Sequence, residues 1–341
     1  MLVSVIVPCR NEAGYIEGFL SCALSQSLPA GHRIEILVAG GASDDGTREI
    51  LGRASALELI EIIDNPERIV ATGLNRAIAR SRGEVIVRMD VHTTYANDYV
   101  AECLEALESS GADNVGGPWR ASGAGGVSDA IALAFPSSFA CGGGKAHDPS
   151  YEGDVDTVYL GCWRRESLKR FGLFDEQMVR TQDSELNDRI RRLGGRVFQT
   201  PRIRSWYSCR RSLSGLWRQY VQYGYWKVFL MRRLGRPTTL RQLAPAVFLL
   251  GLTLFAAAAP WLDAAARLFV GTAAAYLAAC LGVGGELCLR ARRPELLPHM
   301  PAVLACYHFA YGWGYLRGAF ELLLLRREPA AKLQALTREP A

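Results

Sequence analysis

Short apolar runs and amphipathic stretches take turns along the first hundred residues. Residues 2–8 (LVSVIVP) and 34–39 (IEILVA) are aliphatic runs separated by YIEGFLSCALSQSL, whose apolar positions recur at helical spacing. The pattern predicts a β-α-β start, then a helix over 45–56, a strand near 58–63, a helix over 71–81, a strand over 84–89 and a helix over 96–110. Strands alternating with helices in this way imply an α/β fold: a Rossmann-like, mainly parallel sheet with helices on both faces. Ligands of such sheets bind outside the carboxyl ends of strands, where Asn11, Glu12, Ser43, Asp45 and Asp90 fall here. Residues 117–150, rich in Gly, Ser and Ala, read as a mobile loop region rather than an element. Helices over 166–171 and 183–193 close the globular part, the second stopped by Gly194 and Gly195.

The pattern then changes. Residues 212–235 mix Trp, Tyr, Leu, Arg and Lys at helical spacing, the signature of a helix lying in a membrane interface or of an ordinary amphipathic core helix. Residues 243–262 carry no charge and are long enough to span a bilayer; 268–289 form a second such stretch, joined to the first by a short connection. Residues 301–325 are a third apolar stretch, but they contain His308, Arg317 and Glu321. They form either a third span with an Arg–Glu pair four residues apart or a segment that enters and returns. This predicts a catalytic domain over 1–211, amphipathic interfacial helices over 212–240, a transmembrane region over 241–326, and a cytoplasmic tail or flexible terminus over 327–341.

Charge and cysteine usage narrow the class. The net charge is +5, and arginines crowd over 191–241, just ahead of the apolar region. That placement fits an anionic membrane surface, and no nucleic-acid motif accompanies it. Arginines before the first span and RARR after the second keep both flanks, and the catalytic domain, in the cytoplasm by positive-inside logic. The nine cysteines include no C-x-x-C pair, which disfavours a disulfide framework or a zinc site and favours a reducing compartment. The opening LVSVIVP has no basic stretch before a cleavable apolar run, so no signal peptide is expected.

Four segments carry candidate chemistry. VPCRNE (7–12) ends the first strand at Pro8 and opens the next helix with Asn11 and Glu12, which could equally be a helix cap. GGASDDGT (40–47) allows close backbone approach and offers Ser43, Asp44 or Asp45 as caps; neither segment is a phosphate loop with its lysine. RGEVIVRMDVHT (82–93) is read as a strand ending on Asp90, with His92 on the same face and Arg88 two residues before. A carboxylate with an imidazole suits Mn²⁺ somewhat better than Mg²⁺, with diphosphate oxygens and water completing the shell. In TQDSELNDRIRRLGG (181–195), Asp183 stands where a loop enters a helix, as a general base or as a cap.

SVIVPCRNE, SDDGT, VRMDVHT, VDTVYLGCWRR, FGLFDE, QDSELNDRIRRLGG and RQYVQYGYWK, in this order and spacing, resemble family 2 glycosyltransferases, and among them the membrane-bound succinoglycan-type glucosyltransferases of exopolysaccharide assembly. The resemblance covers about 1–235, and the late YHFAYGWGYLRG is similar to that subgroup's tail. It implies a GT-A fold, a nucleotide-sugar donor, usually UDP-linked, and inverting transfer to a polyprenyl-diphosphate-linked saccharide at the inner (plasma) membrane. Carried over by position, Asp90 is the first metal-motif aspartate, and His92 stands where many relatives have a second acid. Asp183 is the base, and Gln182 replaces the usual Glu before it. Donor contacts would come from Pro8, Arg10, Asn11, Glu12, Ser43, Asp45, Arg88 and Asp90. Acceptor contacts would come from Trp163, Arg164, Arg165, Gln182, Gln219, Tyr223 and Trp226. Gly40 replaces an Asp that relatives use to hold the nucleotide, which costs a polar contact. Two rival readings stand beside this one: a processive polysaccharide synthase, which normally needs more spans, and a catalytically silent membrane scaffold.

Overall fold

A computed structural model describes residues 1–237, 239–329 and 333. Contacts divide the chain into two compact units, Met1–Arg120 with Lys145–Ser208, and Ala121–Gly144 with Cys209 onward.

In the first unit the alternation seen in the sequence is realised as β1 (Leu2–Cys9), α1 (Ala13–Leu24), β2 (Arg33–Gly40), α2 (Thr47–Ala56), β3 (Glu61–Asp64), α3 (Val70–Arg80), β4 (Val85–Arg88), β5 (Thr93–Tyr95) and α4 (Tyr99–Ser110). There follow β6 (Asn114–Gly117), β7 (Arg120–Ser122), then, beyond the insertion described below, β8 (Gly153–Asp154), β9 (Tyr159–Arg164), α7 (Arg165–Phe171), α8 (Gln182–Arg192), β10 (Val197–Gln199) and β11 (Ser205–Ser208). Among the described residues the main sheet runs β3-β2-β1-β4-β9-β6-β10-β8. The β3-β2-β1-β4 half is parallel throughout, as the sequence implies. Beyond it β9 runs antiparallel to both β4 and β6, and β10 returns parallel to β6. The fold is GT-A-like: a mixed sheet between two helical layers.

Burial on both faces explains the unbroken aliphatic runs. In β1, Val3, Val5 and Val7 pack into one core with α1, α2 and α4, while Ile6 faces a second core made with α3, α7 and α8. Strand alternation thus feeds two cores from one strand. The third strand starts later than the pattern suggests, because Glu58 takes a left-handed backbone (φ 56°) and the N–H of Leu59 closes the end of α2 onto Ala54 O at 3.2 Å.

Residues 117–150 are not a structureless loop. They hold α5 (Val127–Ala134) and α6 (Ser138–Cys141), which belong to the second unit, so the linear division at residue 211 does not follow the unit boundary. The reason is the apolar face of α5, with Ala130, Ile131 and Ala134 buried. Tyr307 donates to Ile131 O at 3.1 Å, and Arg293 pairs with Asp129 at 2.8 Å.

The second unit continues with α9 (Leu213–Leu234), α10 (Ala244–Ala258), α11 (Asp263–Ala291) and α12 (Met300–Gly318), the last running into a π-helical turn over Ala319–Leu324. Among the described residues, two helical stretches, Leu240–Ala258 and Asp263–Ala291, are long and apolar enough to cross a membrane, and only 6% and 11% of their apolar windows are buried. The third apolar stretch behaves differently. In α12, Val303, Leu304, Tyr307 and Ala310 are buried against neighbouring helices. The Arg–Glu pair forms, with Arg317 Nε 2.7 Å from Glu321 Oε1, and Tyr225 donates to the other carboxylate oxygen at 3.0 Å. The expected tail over 327–341 lies mostly outside the described residues.

Helices α9 and α12 touch backbone to backbone through glycines. A Cβ on Gly314 would lie 2.0 Å from Val221 O, and one on Gly224 would lie 2.2 Å from Tyr311 O. Backbone cannot yield as a side-chain tip can. Gly314→Ala is therefore expected to lower the stability of this unit by roughly 1–3 kcal/mol, read as a lower melting temperature in detergent. Gly251→Ala on α10, where a Cβ meets nothing within 4 Å, should leave the melting temperature unchanged. Equal melting for both variants would mean that the two helices do not pack this closely.

Candidate active site

The carboxyl ends of β1, β2 and β4 gather most of the donor-side candidates. Pro8 sits beside Ala39 in the β1–β2 register, and the strand runs one residue past it, to Cys9 beside Gly40. Asn11 then turns left-handed (φ 53°), and its N–H donates to Ser43 Oγ at 2.9 Å while its side chain exchanges two hydrogen bonds with Asp44. Asp45 accepts from the N–H of Ala13 at 3.0 Å and from Thr47 Oγ1 at 2.5 Å, and Thr47 Oγ1 accepts the N–H of Glu12 at 2.9 Å. Burial alone would push the Asp45 carboxyl up, but these donors hold it below the ordinary carboxylate range. The two motifs thus form one locked pair of loops. Arg10 lies along Gly41, where a Cβ would come within 3.1 Å of the arginine stem. Gly40 is different: a Cβ there has nothing nearer than 3.9 Å, so this strand end has room for a side chain.

Asp90 and His92 do not share a strand face. Strand β4 ends at Arg88, and Asp90-Val91-His92 form a turn closed by the Thr93 N–H to Asp90 O at 3.2 Å. The cause is Tyr95, which the sequence reading missed: its buried hydroxyl accepts the Asp90 N–H at 2.5 Å and donates to Asp90 O at 3.0 Å, pulling the chain out of the ladder. His92 is held by Glu12 instead, with Nδ1 2.8 Å from Oε1, and its ring stands edge-on to Tyr207 at 5.7 Å. A further aromatic group lies nearby along the chain path: Trp119 stacks on Tyr159 with centroids 5.0 Å apart, and Tyr159 meets Thr93 through its hydroxyl at 2.7 Å.

The centre of the site is Arg88. Its side chain is 5% exposed, it grips Asp90 with two hydrogen bonds of 2.8 and 3.0 Å, and its third arm reaches the carboxylate of Asp183. Asp183 stands in the first turn of α8, just after Thr181 in the left-handed region (φ 61°), and keeps 31% of its side chain exposed. Burial raises the Asp183 carboxyl above its ordinary value, Arg88 opposes the rise, and the charge of Asp90 adds to it. A carboxylate with raised proton affinity and an open edge is suited to take a proton. No cap hydrogen bond is made by the preceding Thr181 side chain.

Several acceptor-side expectations are corrected. Trp163 is 1% exposed in the core, edge-on to Phe174 at 5.8 Å. Arg164 spends its guanidinium on the carbonyls of Ala112 and Leu107, and Arg165 on Gly83 O and Ser81 Oγ. These three hold β9 and α7 in place, a role that nonlocal contacts impose and the local motif conceals. Gln182 is buried beside Asp183 in α8. Gln219, Tyr223 and Trp226 lie on α9 in the second unit, where Gln219 donates to Tyr223 at 2.9 Å and the buried Trp226 indole donates to Leu333 O at 2.8 Å.

Among the described residues no cluster of three or more His, Cys, Asp or Glu side chains is placed to hold a metal ion unaided. Asp90 and His92 stand two residues apart at this turn; both Asp90 carboxylate oxygens accept from Arg88, and Glu12, beside His92, keeps one buried oxygen with no hydrogen-bond partner among the described residues.

The fold is GT-A-like, with Asp90 just beyond β4 and Asp183 in the first turn of α8, joined through Arg88. A family description, "Glycosyl transferase family 2", matches residues 4–166. The chain is similar to the succinoglycan biosynthesis protein ExoA of Rhizobium meliloti (strain 1021), at 31% identity over 332 residues covering 96% of both chains. It belongs to glycosyl transferase family 2. It is also 25% identical over 243 residues to a dolichyl N-acetyl-alpha-D-glucosaminyl phosphate 3-beta-D-2,3-diacetamido-2,3-dideoxy-beta-D-glucuronosyltransferase of Methanococcus voltae, covering 68% of this chain and 74% of the other. Among solved structures, the mannosyltransferase PcManGT of Pyrobaculum calidifontis, in complex with GDP-Man and Mn²⁺, shares the fold with a TM-score of 0.58 at 21% identity, covering 91% of this chain and 87% of that one.

Arg88→Met should expose what the guanidinium does. Leaving the buried Asp90 and the half-buried Asp183 without their cation is expected to cost up to about 3–5 kcal/mol near neutral pH. Removing Arg88 raises the proton affinity of Asp183 further, so the loss should shrink as pH falls toward the range where Asp183 takes up a proton. In the native protein the Asp183 contribution has the matching sign: its folded pKa is raised, so it favours folding most when protonated, and that share fades as pH rises through the raised value. Denaturation of native and variant protein across pH checks this; a loss independent of pH would contradict it.

Proposed function

We propose that the protein is an inverting glycosyltransferase that moves a sugar from a nucleoside-diphosphate donor, with UDP-sugars the first to test, to a polyprenyl-diphosphate-linked saccharide in polysaccharide assembly. The observation that carries this reading is the placement of two carboxylates, Asp90 and Asp183, on one buried guanidinium. Asp90 and His92 would hold a divalent cation, Mn²⁺ or Mg²⁺, which when bound supplies neutralising charge for the departing diphosphate. Asp183 accepts the proton of the acceptor hydroxyl as its oxygen bonds to the anomeric carbon and the bond to the donor diphosphate breaks on the opposite face. Arg88 fixes both carboxylates so that the base stands ready beside the donor. The loops that carry Asn11, Ser43 and Asp45 frame the nucleotide end, with Arg10 alongside.

The second unit supplies the anchor in this reading. The α10–α11 hairpin exposes Leu250, Leu254, Leu268, Leu277 and Trp261, surface that needs an apolar cover. Arginines at 232, 233, 236 and 241 precede it and those at 290, 292 and 293 follow it, a distribution that supports both ends, and the catalytic unit, lying on the cytoplasmic side of the plasma membrane. The names of the Rhizobium and Methanococcus relatives, a polysaccharide biosynthesis protein and a transferase acting on a dolichyl-linked sugar, support a saccharide product and a lipid-carried acceptor.

Membrane fractions given a panel of nucleotide sugars with a lipid-linked acceptor test the proposal. Asp183→Asn is expected to lower transfer by ~10²–10⁴-fold while donor binding stays within a few-fold; near-native turnover would reduce Asp183 to a structural residue. A single sugar added per acceptor is expected, and a long ladder of products would instead favour a processive synthase.

Gly40→Asp is expected to tighten donor binding, since the site admits the new side chain and a charged hydrogen bond contributes roughly 1.5–3 kcal/mol. Calorimetry that finds equal or weaker binding would mean that the nucleotide does not sit over this strand end.

A further inference from the structure

Two asparagines are buried between β6 and the helix that carries Asp183. Asn114 opens β6 and is 0% exposed; Asn187 lies in α8 and is 1% exposed. Asn114 Nδ2 donates to Asn187 Oδ1 at 2.6 Å, and Asn187 Nδ2 donates to Thr157 Oγ1 at 2.9 Å. Asn114 Oδ1 accepts the N–H of Cys162 at 3.2 Å, beside the irregularity in the β6–β9 register between Val115 and Gly117. Gly161 makes room there: its φ is 124°, and a Cβ on it would lie 2.9 Å from Asn114 Oδ1 and 2.5 Å from the Trp163 ring. An apolar pair would fill this space without the desolvation of two amides, so their presence needs a reason.

We propose that Asn187 is a positioning residue for the general base: held by Asn114 and Thr157, it fixes the rotation and depth of α8 so that Asp183 meets Arg88. The inference rests on the reading of Asp183 as the base and names a residue that acts through it. Asp183 and Asn187 are four residues apart in α8, so they project from the same side of the helix, one turn apart. The neighbouring anchors Leu186 and Ile190 are fully buried, but apolar packing carries no direction of its own. The amide network supplies direction, because each asparagine uses both its donor and its acceptor end. A rotation of α8 by about 10°, at a side-chain radius of about 5–6 Å, would move the Asp183 carboxylate by about 1 Å. A displacement of that size can lower a rate by about 10²-fold. Arg88 does not follow such a shift, since two hydrogen bonds tie it to Asp90. The helix therefore has to be set from its own buried side.

The test uses the full chain in membrane fractions with the most active nucleotide sugar of the panel above, and in detergent for UDP calorimetry and circular dichroism. Asn187→Leu is expected to lower kcat by ~10–10²-fold, with the donor KM and UDP affinity within a few-fold of native. Thr157→Val, which removes the hydroxyl that holds the Asn187 amide, should lower kcat in the same direction, and Thr157→Ser should restore it. In the Asp183→Asn background Asn187→Leu should change the residual rate little, because the base it positions is gone. Should Asn187→Leu not fold, Thr157→Val is carried through the same two backgrounds. Native kcat in folded Asn187→Leu, with Asp183→Asn inactive, would overturn the inference and leave the base assignment standing. Equal losses in the native and Asp183→Asn backgrounds would make the network merely structural and overturn it too. Near-native turnover in Asp183→Asn, or no transfer by the native protein with any donor, would remove the proposed reading and this inference with it.

Discussion

A guanidinium buried beneath two carboxylates is the constraint from which the site follows. Arg88 has almost no contact with water, so its charge must be met inside the protein, and Asp90 and Asp183 meet it together. Each acid alone would be repelled by the other; sharing one cation lets both stay close and ionisable. The result ties the turn after β4, which carries the metal candidates, to the start of α8, which carries the proposed base. A reaction that needs charge neutralised on one side and a proton removed on the other needs that distance fixed. Arg88 fixes it without being consumed by either task.

The parallel half of the sheet was readable because its signals are local. Aliphatic runs, helix periodicity and strand-end polar residues near 9–12, 43–47 and 88–92 all lie within short windows, and the strands and helices there match the pattern closely. What escaped is nonlocal. The antiparallel seat of β9 depends on partners β4 and β6, both far from it along the chain. The Asp90–His92 turn depends on a tyrosine hydroxyl at Tyr95 that reads in sequence as an ordinary buried aromatic. Trp163, Arg164 and Arg165 resemble a ligand-lining cluster, yet Trp163 is buried in the core, and Leu107, Ala112 and Gly83 accept from the two arginines. Small residues over 117–150 concealed α5 and α6, whose stability comes from packing rather than from propensity.

The second unit shows the same division between composition and context. Two apolar stretches, legible as spans over 243–262 and 268–289, fold as the helical stretches Leu240–Ala258 and Asp263–Ala291 and remain largely uncovered. The third, α12, has similar composition but is buried, because glycines at 314 and 318 let α9 approach its backbone. Close glycine contact and the partly buried Arg317–Glu321–Tyr225 group make it a packing centre. Hydropathy alone does not separate these two fates; the spacing of small residues does.

The account's central claim is a single displacement in which Asp183 takes the acceptor proton while the sugar leaves the diphosphate from the opposite face. The configuration of the transferred sugar tests it directly. Proton NMR of the product formed from a donor of known anomeric configuration should show that configuration inverted at the new linkage. A product that retains the donor's configuration would contradict the account, because one base and one attack cannot give it.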